Sequence, residues 1–336
     1  MPHNIGLMLH TADMNFDEII RLAQHCEASD YHGFWLTEES GKEAFAVLAL
    51  LAQNTERIIL GTSIVNFYSR TPMLLAMGTR TIWDLSGGRF HLGLGTGGIG
   101  FMTQGHGIKI ERPIARSKEV LEIIRGFLSE QRFSYDGEWF NVDNFHLREG
   151  PIAEHVPIYQ AALGPKMIGV AAKYYDGFIS NWLTPQSLQN YREMIAKGCA
   201  QVGRDPSEVK LLALEMAAPD NSSESRDAMR RGCAFYCASP HYEHIAEISG
   251  LGDDFRRVKE VWETRDYAKA ASYVSDEMLE TFTLTGDNDA CKRRINWLLS
   301  EGVYPIIYPV PRHHLKAEDH FTTADRVIEL LEGSHV

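Results

Sequence analysis

The sequence predicts an α/β fold, a (β/α)8 TIM barrel, on three observations. Eight short apolar segments with strand character are spaced along the chain, and each is followed by a segment of helical period. The strands carry apolar residues at nearly every position, as strands covered on both faces in a parallel sheet must. The length, 336 residues, suits one large α/β barrel as well as two ordinary domains. We therefore expect a single domain over residues 1–336, with an insertion after the fourth strand and a helical excursion before the eighth. A doubly wound open sheet is the alternative.

Asn4–Leu9 reads as a buried strand, and Phe16–Glu27 follows with Ile19, Ile20, Leu22, Ala23 and Cys26 at helical spacing. Strand Gly33–Thr37 and helix Glu43–Gln53 repeat the unit. Strand Arg57–Val65 leads to helix Pro72–Leu85, where the proline suits a first turn because it lacks an N–H that would go unpaired there. Strand Arg89–Gly95 ends in a glycine-rich stretch without period to Glu111, which reads as a long functional loop. Helix Pro113–Leu128 restores the pattern. Arg132–Phe145 is a hairpin insertion, with aromatic residues around the turn signal Asp136-Gly137. Strand Val156–Ala161, helix Lys166–Lys173, strand Asp176–Trp182, helix Pro185–Val202 and strand Val209–Met216 follow. Ser222–Phe282 is mostly helical with no strand signal, helix Asn288–Ser300 leads into strand Val303–Val310, and a last helix covers Thr323–Glu332. No solenoid repeat, linker or low-complexity run interrupts the series.

Composition narrows the function classes. Hydrophobic residues are 44% and charged residues 23%, the balance of a globular chain with a sizeable core, and the net charge of −12 argues against a nucleic-acid backbone or an anionic membrane surface as partner. The longest apolar run, Ala44–Ala52, falls far short of the roughly 20 residues a membrane span needs. The first residues show no basic region followed by an apolar core, and the expected location is cytoplasmic. Five cysteines, at 26, 199, 233, 237 and 291, form no C-x-x-C pair and are expected as reduced thiols.

Several motifs admit both a chemical and a plain reading. Gly93–Gly98 matches G-x-G-x-x-G after a strand, yet the next helix waits until about Pro113, so the Rossmann context fails. Absent side chains there still let backbone approach a flat ring or a phosphate. Leu163–Met167 lies between strand and helix. In a barrel this loop faces the catalytic end, and the free amides of a helix start attract anions, but a simple turn with a helix-starting proline accounts for it equally well. Cys233, Cys237, His241 and His244 have a spacing that could gather zinc ligands, although Pro240 interrupts the helix and buried cysteines with solvated histidines are the plainer account; His313, His314 and His320 are a weaker set still, and no metal is expected. Glu38 and Glu39 end the second strand, where alternation points one carboxylate toward the axis and one away. The inward one is a candidate acid or base, and solvated surface is the competing reading. No G-x-S-x-G elbow supports nucleophilic catalysis.

Leu60–Pro72 and especially Leu85-Ser-Gly-Gly-Arg-Phe-His-Leu-Gly-Leu-Gly95 resemble the bacterial luciferase-like family of flavin and deazaflavin oxidoreductases. The likeness continues through Val156–Lys166, Asp176-Gly177 and Gly302-Val303, nearly the whole chain. Within it, Asn66-x-Tyr68-x-Arg70-x-Pro72, Gly105-His106-Gly107 and Arg116 are most similar to the methylenetetrahydromethanopterin reductase-like, F420-dependent members. The resemblance implies a (β/α)8 barrel and a cofactor at the strand C-termini held by Ser63, Ile64, Asn66, Thr96 and Gly97. It implies a cis peptide at Ser63–Ile64 and a phosphate loop at Leu163, Gly164, Pro165, Lys166 and Met167. It also exposes a departure: several relatives carry a catalytic histidine just after the second strand, where this chain has Glu39. The expected reaction is hydride transfer between F420 and a small organic substrate, with a pterin-like one-carbon carrier as candidate and a homodimer as the usual assembly. The competing readings are a reduced-FMN monooxygenase served by a flavin reductase and a non-catalytic flavin-binding or subunit protein.

Overall fold

The computed structural model describes residues 3–218, 220–313 and 316–331. In chain order it places β1 (His3–His10), α1 (Phe16–Ala28), β2 (Tyr31–Thr37), α2 (Ala44–Ala52), β3 (Ile59–Thr62), β4 (Val65–Asn66), α3 (Pro72–Ser86), β5 (Phe90–Gly95) and α4 (Pro113–Ser129). The hairpin β6 (Phe133–Asp136) and β7 (Asn141–Phe145) follows, then β8 (Ile158–Ala161), α5 (Pro165–Tyr174), β9 (Gly177–Asn181), α6 (Pro185–Ala200) and β10 (Lys210–Ala217). Five helices, α7 (Ser223–Cys237), α8 (Glu243–Ile248), α9 (Gly252–Glu263), α10 (Tyr267–Ser272) and α11 (Asp276–Phe282), precede α12 (Asn288–Ser300), β11 (Tyr304–Pro309) and α13 (Ala317–Leu331).

The strands pair in parallel in the order β3-β2-β1-β11-β10-β9-β8-β5, and a β3–β5 pairing closes the ring, so the fold is the eight-stranded barrel rather than the open sheet. The expected third strand is one element broken in two. Ser63–Ile64 is a cis peptide, after which the chain pairs again with β5 through Val65↔Leu94 and Asn66↔Gly95. The last helix starts at Ala317, six residues earlier than its apolar period suggests, because Glu318 and Asp319 favour the first turn and Asp319 accepts the His313 N–H at 2.6 Å. Its expected end, Glu332, lies outside the described residues.

Strand alternation divides the apolar residues into two layers. Outward residues such as Leu7, Phe34, Leu36, Leu60, Leu92, Phe178 and Ile307 form the core against the ring of helices. Inward residues Met8, Trp35, Tyr159, Ile179, Leu212 and Ile306 fill the barrel. The indole of Trp35 needs space that three neighbours supply by having no side chain. A Cβ at Gly6 would stand 2.6 Å from its Nε1, one at Gly33 2.7 Å, and one at Gly61 2.3 Å from its Cε3. A third apolar cluster joins α7–α11 to the strand ends, through Trp182 after β9, stacked on Phe282 at 4.3 Å, and Met216 of β10. Glu215, fully buried on the outer side of β10, meets Arg294 of α12 at 2.6 Å, and the same guanidinium donates to the carbonyls of Leu183 and Thr281 at 2.9 and 3.0 Å.

Candidate active site at the barrel mouth

The C-terminal strand ends converge on a polar mouth roofed by the α7–α11 excursion. β2 ends at Thr37, and beyond it the two carboxylates part: the Glu39 charge reaches Tyr308 of the inner layer, while Glu38 turns to Arg70. Glu38 is held there by a two-pronged pair with Arg70, one contact at 2.7 Å, and accepts the Ala44 N–H at 3.1 Å at the start of α2. Its carboxylate is thus engaged in holding β2, α2 and the loop after β4 together. The Glu39 carboxylate is half-exposed and lies 3.4 Å from His10 Nε2 at the end of β1. The phenols of Tyr308 on β11 and Tyr236 on α7 are pushed up above the usual tyrosine range, by burial first and by the Glu39 charge in addition.

The residues expected around a cofactor begin on the strand next to β2, where the Glu38 N–H donates to the Ile64 carbonyl at 3.2 Å, and continue through the ends of β4, β5 and β8. Asn66 is buried at the end of β4, its Oδ1 accepts the N–H groups of Tyr68 and Ser69 at 3.1 and 2.7 Å, and its Nδ2 has no partner among the described residues. A buried amide donor without an acceptor is costly, so an acceptor supplied by a ligand fits this position. Beside it Gly97 takes φ +73°, and a Cβ there would stand 3.0 Å from Met102 and 3.3 Å from the Asn66 side chain. The Thr96 hydroxyl donates to the Gly97 carbonyl at 3.2 Å. Ile64, just past the cis bond, packs on the inner barrel core and lies against Gly95, where a Cβ would stand 2.8 Å from its Cδ1.

At α5, Gly164 is the N-cap with no side-chain cap, Pro165 takes the first turn, and the first intrahelical bond is Ile168 N–H to Gly164 C=O at 3.0 Å. The amides of Lys166 and Met167 lie ahead of that bond, where helix geometry provides no acceptor. Lys166 is exposed, no described residue other than the chain neighbours stands within 4 Å of where a Gly164 Cβ would be, and Leu163 packs toward the excursion. Uncapped amides, an adjacent lysine and open space suit a phosphate.

Other motif residues hold the scaffold. Gly87 ends α3 in the left-handed conformation at φ +66°, and Arg89 then donates to the Ile58 and Thr55 carbonyls at 2.6 and 2.9 Å. The first half of the Leu85–Gly95 motif therefore builds the N-terminal end of the barrel, away from the mouth. The Tyr68 hydroxyl donates to the Glu111 carbonyl at 2.8 Å, and Arg116 lies 4.6 Å from the Tyr68 ring centroid. His106 is exposed, with its ring edge-on to Phe101 at 4.8 Å. Cys233 and Cys237 are buried within the excursion while His241 and His244 are exposed, and among the described residues no group of three His, Cys, Asp or Glu side chains is placed to hold a metal. His314 lies outside the described residues. Sequence reasoning missed His10, Tyr236, Tyr242 and Asn181. The Asn181 amide donates to the Tyr242 hydroxyl at 3.3 Å beneath the roof, a contact between segments 61 residues apart that no local pattern announces.

Comparison with known proteins agrees with this architecture. A 5,10-methylenetetrahydromethanopterin reductase of Methanolobus tindarius is 31% identical over 303 residues, covering 88% of this chain and 91% of the relative. The enzyme of the same name from Archaeoglobus fulgidus is 32% identical over 308 residues, covering 89% and 91%. The coenzyme F420-dependent tetrahydromethanopterin reductase of Methanopyrus kandleri superposes with a TM-score of 0.81 at 23% identity, covering 99% of this chain and 98% of that one. An F420-dependent secondary alcohol dehydrogenase superposes with a TM-score of 0.77 at 18% identity over the whole of both chains. Residues 1–303 match the model of the luciferase-like monooxygenase family, and the chain belongs to that family of oxidoreductases.

Proposed function

We propose that the chain is an F420-dependent oxidoreductase that moves a hydride between the deazaflavin and a small organic substrate, with a methylenetetrahydromethanopterin-like one-carbon carrier as the candidate. The observation that carries this reading is the run of relatives named as methylenetetrahydromethanopterin reductases, matched over about nine-tenths of both chains. The partnerless Nδ2 of buried Asn66 and the uncapped start of α5 support a ligand between them. Asn66 and the backbone of Ser63, Ile64, Thr96 and Gly97 would receive the ring system, and Leu163–Met167 the phosphate. When bound, the deazaflavin supplies a carbon that gives or takes hydride.

The protein's part is to orient two flat reactants, to exclude water beneath the α7–α11 roof, and to hold one proton. Glu39 is placed for the last task. Its carboxyl faces the mouth, whereas the Glu38 carboxylate is committed to Arg70 and could leave that pair only by abandoning a shielded cation. We further propose that the chain works as one domain and assembles as a homodimer.

Titration of the protein with F420 and with FMN in parallel, under anaerobic conditions, tests the cofactor. Saturable F420 binding with weak FMN binding is expected. Tight FMN binding without F420 binding would replace the proposal by an FMN monooxygenase that needs a flavin reductase, and binding of neither would favour a non-catalytic subunit.

A further inference from the structure

The neighbouring strand brings an imidazole beside Glu39. His10 ends β1, and its Nδ1 accepts the Ala12 backbone N–H at 3.3 Å. An imidazole nitrogen that accepts an N–H carries no proton, so in the neutral ring the proton resides on Nε2. That nitrogen is 3.4 Å from Glu39 Oε2. The approach is fixed by two loops packed on each other. The Lys42 backbone N–H donates to Thr11 Oγ1 at 3.0 Å, and its ammonium donates to the Thr11 carbonyl at 3.1 Å and to that of Met14. Gly41 permits this contact, since a Cβ there would stand 2.9 Å from Ala12 N. The Lys42 ammonium is thereby engaged by carbonyls. The groups that feel the Glu39 charge from the other packed elements are the phenols of Tyr308 on β11 and Tyr236 on α7.

We infer that His10 is the positioning residue for Glu39, a fixed N–H donor that holds the carboxylate at the mouth in place and stabilises it after it has given up its proton. The inference rests on the reading of Glu39 as the acid. In the reductive direction, with hydride that a bound reduced deazaflavin would supply, a C–H bond forms as one carbon–heteroatom bond of the substrate breaks and leaves its electron pair on the heteroatom, and the Glu39 O–H bond breaks as its proton goes to that heteroatom. The resulting carboxylate accepts from His10 Nε2–H, and solvent returns the proton to Glu39 between turnovers.

Two measurements test this. In the unloaded protein, labelled with 15N-histidine and held above pH 8, His10 should give the signature of a bare Nδ1 and a protonated Nε2. A proton on Nδ1, or an even mixture of tautomers, would overturn the inference. In kinetics, His10→Ala should lower kcat about tenfold or more with KM and F420 affinity unchanged. His10→Gln, whose terminal amide can still donate to the carboxylate, should recover most of that loss. In a Glu39→Gln background, His10→Ala should cost less than about twofold further, because the two residues act as one unit. Independent, multiplying penalties, or a glutamine variant as slow as the alanine one, would overturn it. F420 titration of the wild-type protein keeps the outcomes separate: failure to bind removes the proposed function, while the tautomer measurement still judges the pair.

Discussion

The two ends of the barrel are built on opposite principles. At the N-terminal end space is used up, although His32 Nδ1, Trp35 Nε1 and the Tyr304 hydroxyl are buried there without a hydrogen-bond partner among the described residues. Trp35 occupies the room left by Gly6, Gly33 and Gly61, and Asp176 accepts from the Ile158 N–H at 2.6 Å while also meeting Arg125 and His155. His91, between Trp35 and Tyr159, is so shielded that burial brings its imidazole down to about 4. At the C-terminal end polar groups are left over: a buried amide donor on Asn66, a half-exposed carboxylate on Glu39 and the uncapped amides of α5. Under the proposed function one end carries stability and the other binding and chemistry, the division of labour that a TIM barrel permits because its active-site loops contribute little to closing the sheet. Substitutions at one end should move one observable and leave the other unchanged.

The largest effect is expected at the mouth. Glu39→Gln should lower turnover by roughly 10²–10⁴-fold while F420 affinity and thermal midpoint remain near wild type, read by steady-state kinetics and by a melting curve on the same preparation. Glu38→Gln is its control, and should cost stability through Arg70 and the α2 start without a comparable loss of turnover.

At the closed end the leading effect is on pH dependence. The unfolded chain takes up a proton at His91 near pH 6.5, whereas the folded barrel refuses it until about pH 4, so the unfolded state binds more protons between those values. The stability from a neutral His91 is complete above that window and is lost as pH falls through it, by about 3 kcal/mol. Urea unfolding at pH 7 and pH 4 should show the loss, and His91→Gln should flatten the slope. A variant that keeps the wild-type slope would place the titration elsewhere.

Next comes Gly61→Ala, which drives a methyl group to 2.3 Å from a fully buried indole. It should cost at least about 1–3 kcal/mol in denaturant unfolding, with kcat of the surviving folded fraction little changed. The smallest effect is expected for Gly164→Leu. Apart from its own chain neighbours, no atom of the described residues stands within 4 Å of that Cβ position, so the melting temperature should hold while F420 affinity falls about tenfold as the side chain crowds the phosphate approach. An unchanged affinity would move the phosphate elsewhere.

The closed end was the more legible of the two. All eight barrel strands and the Phe133–Phe145 hairpin follow from local apolar patterning, because each strand is short, buried and bounded by turn residues. Ser63–Ile64 was located by family likeness, since nothing in a Thr-Ser-Ile-Val run marks a cis bond locally. The five-helix excursion was read only as a helical stretch, because its breaks depend on packing around Trp182 and Phe282. At the mouth, alternation established that Glu38 and Glu39 face opposite ways but not which faces in. That required Tyr308, which the Glu39 charge reaches, and the partner of Glu38, Arg70, 32 residues away. His10 was invisible for the same reason: its significance lies in a neighbour on another strand.

The guanidinium of Arg294 has a consequence for how such a protein can change. It joins Glu215 on the barrel to the carbonyls of Leu183 and Thr281, in the turn between β9 and α6 and in the last helix of the roof. The stretch from 223 to 282 is thus an exchangeable cover mounted on a fixed bracket. Its length and lining can be rewritten without disturbing the ring of strands, provided Thr281 returns to the same place.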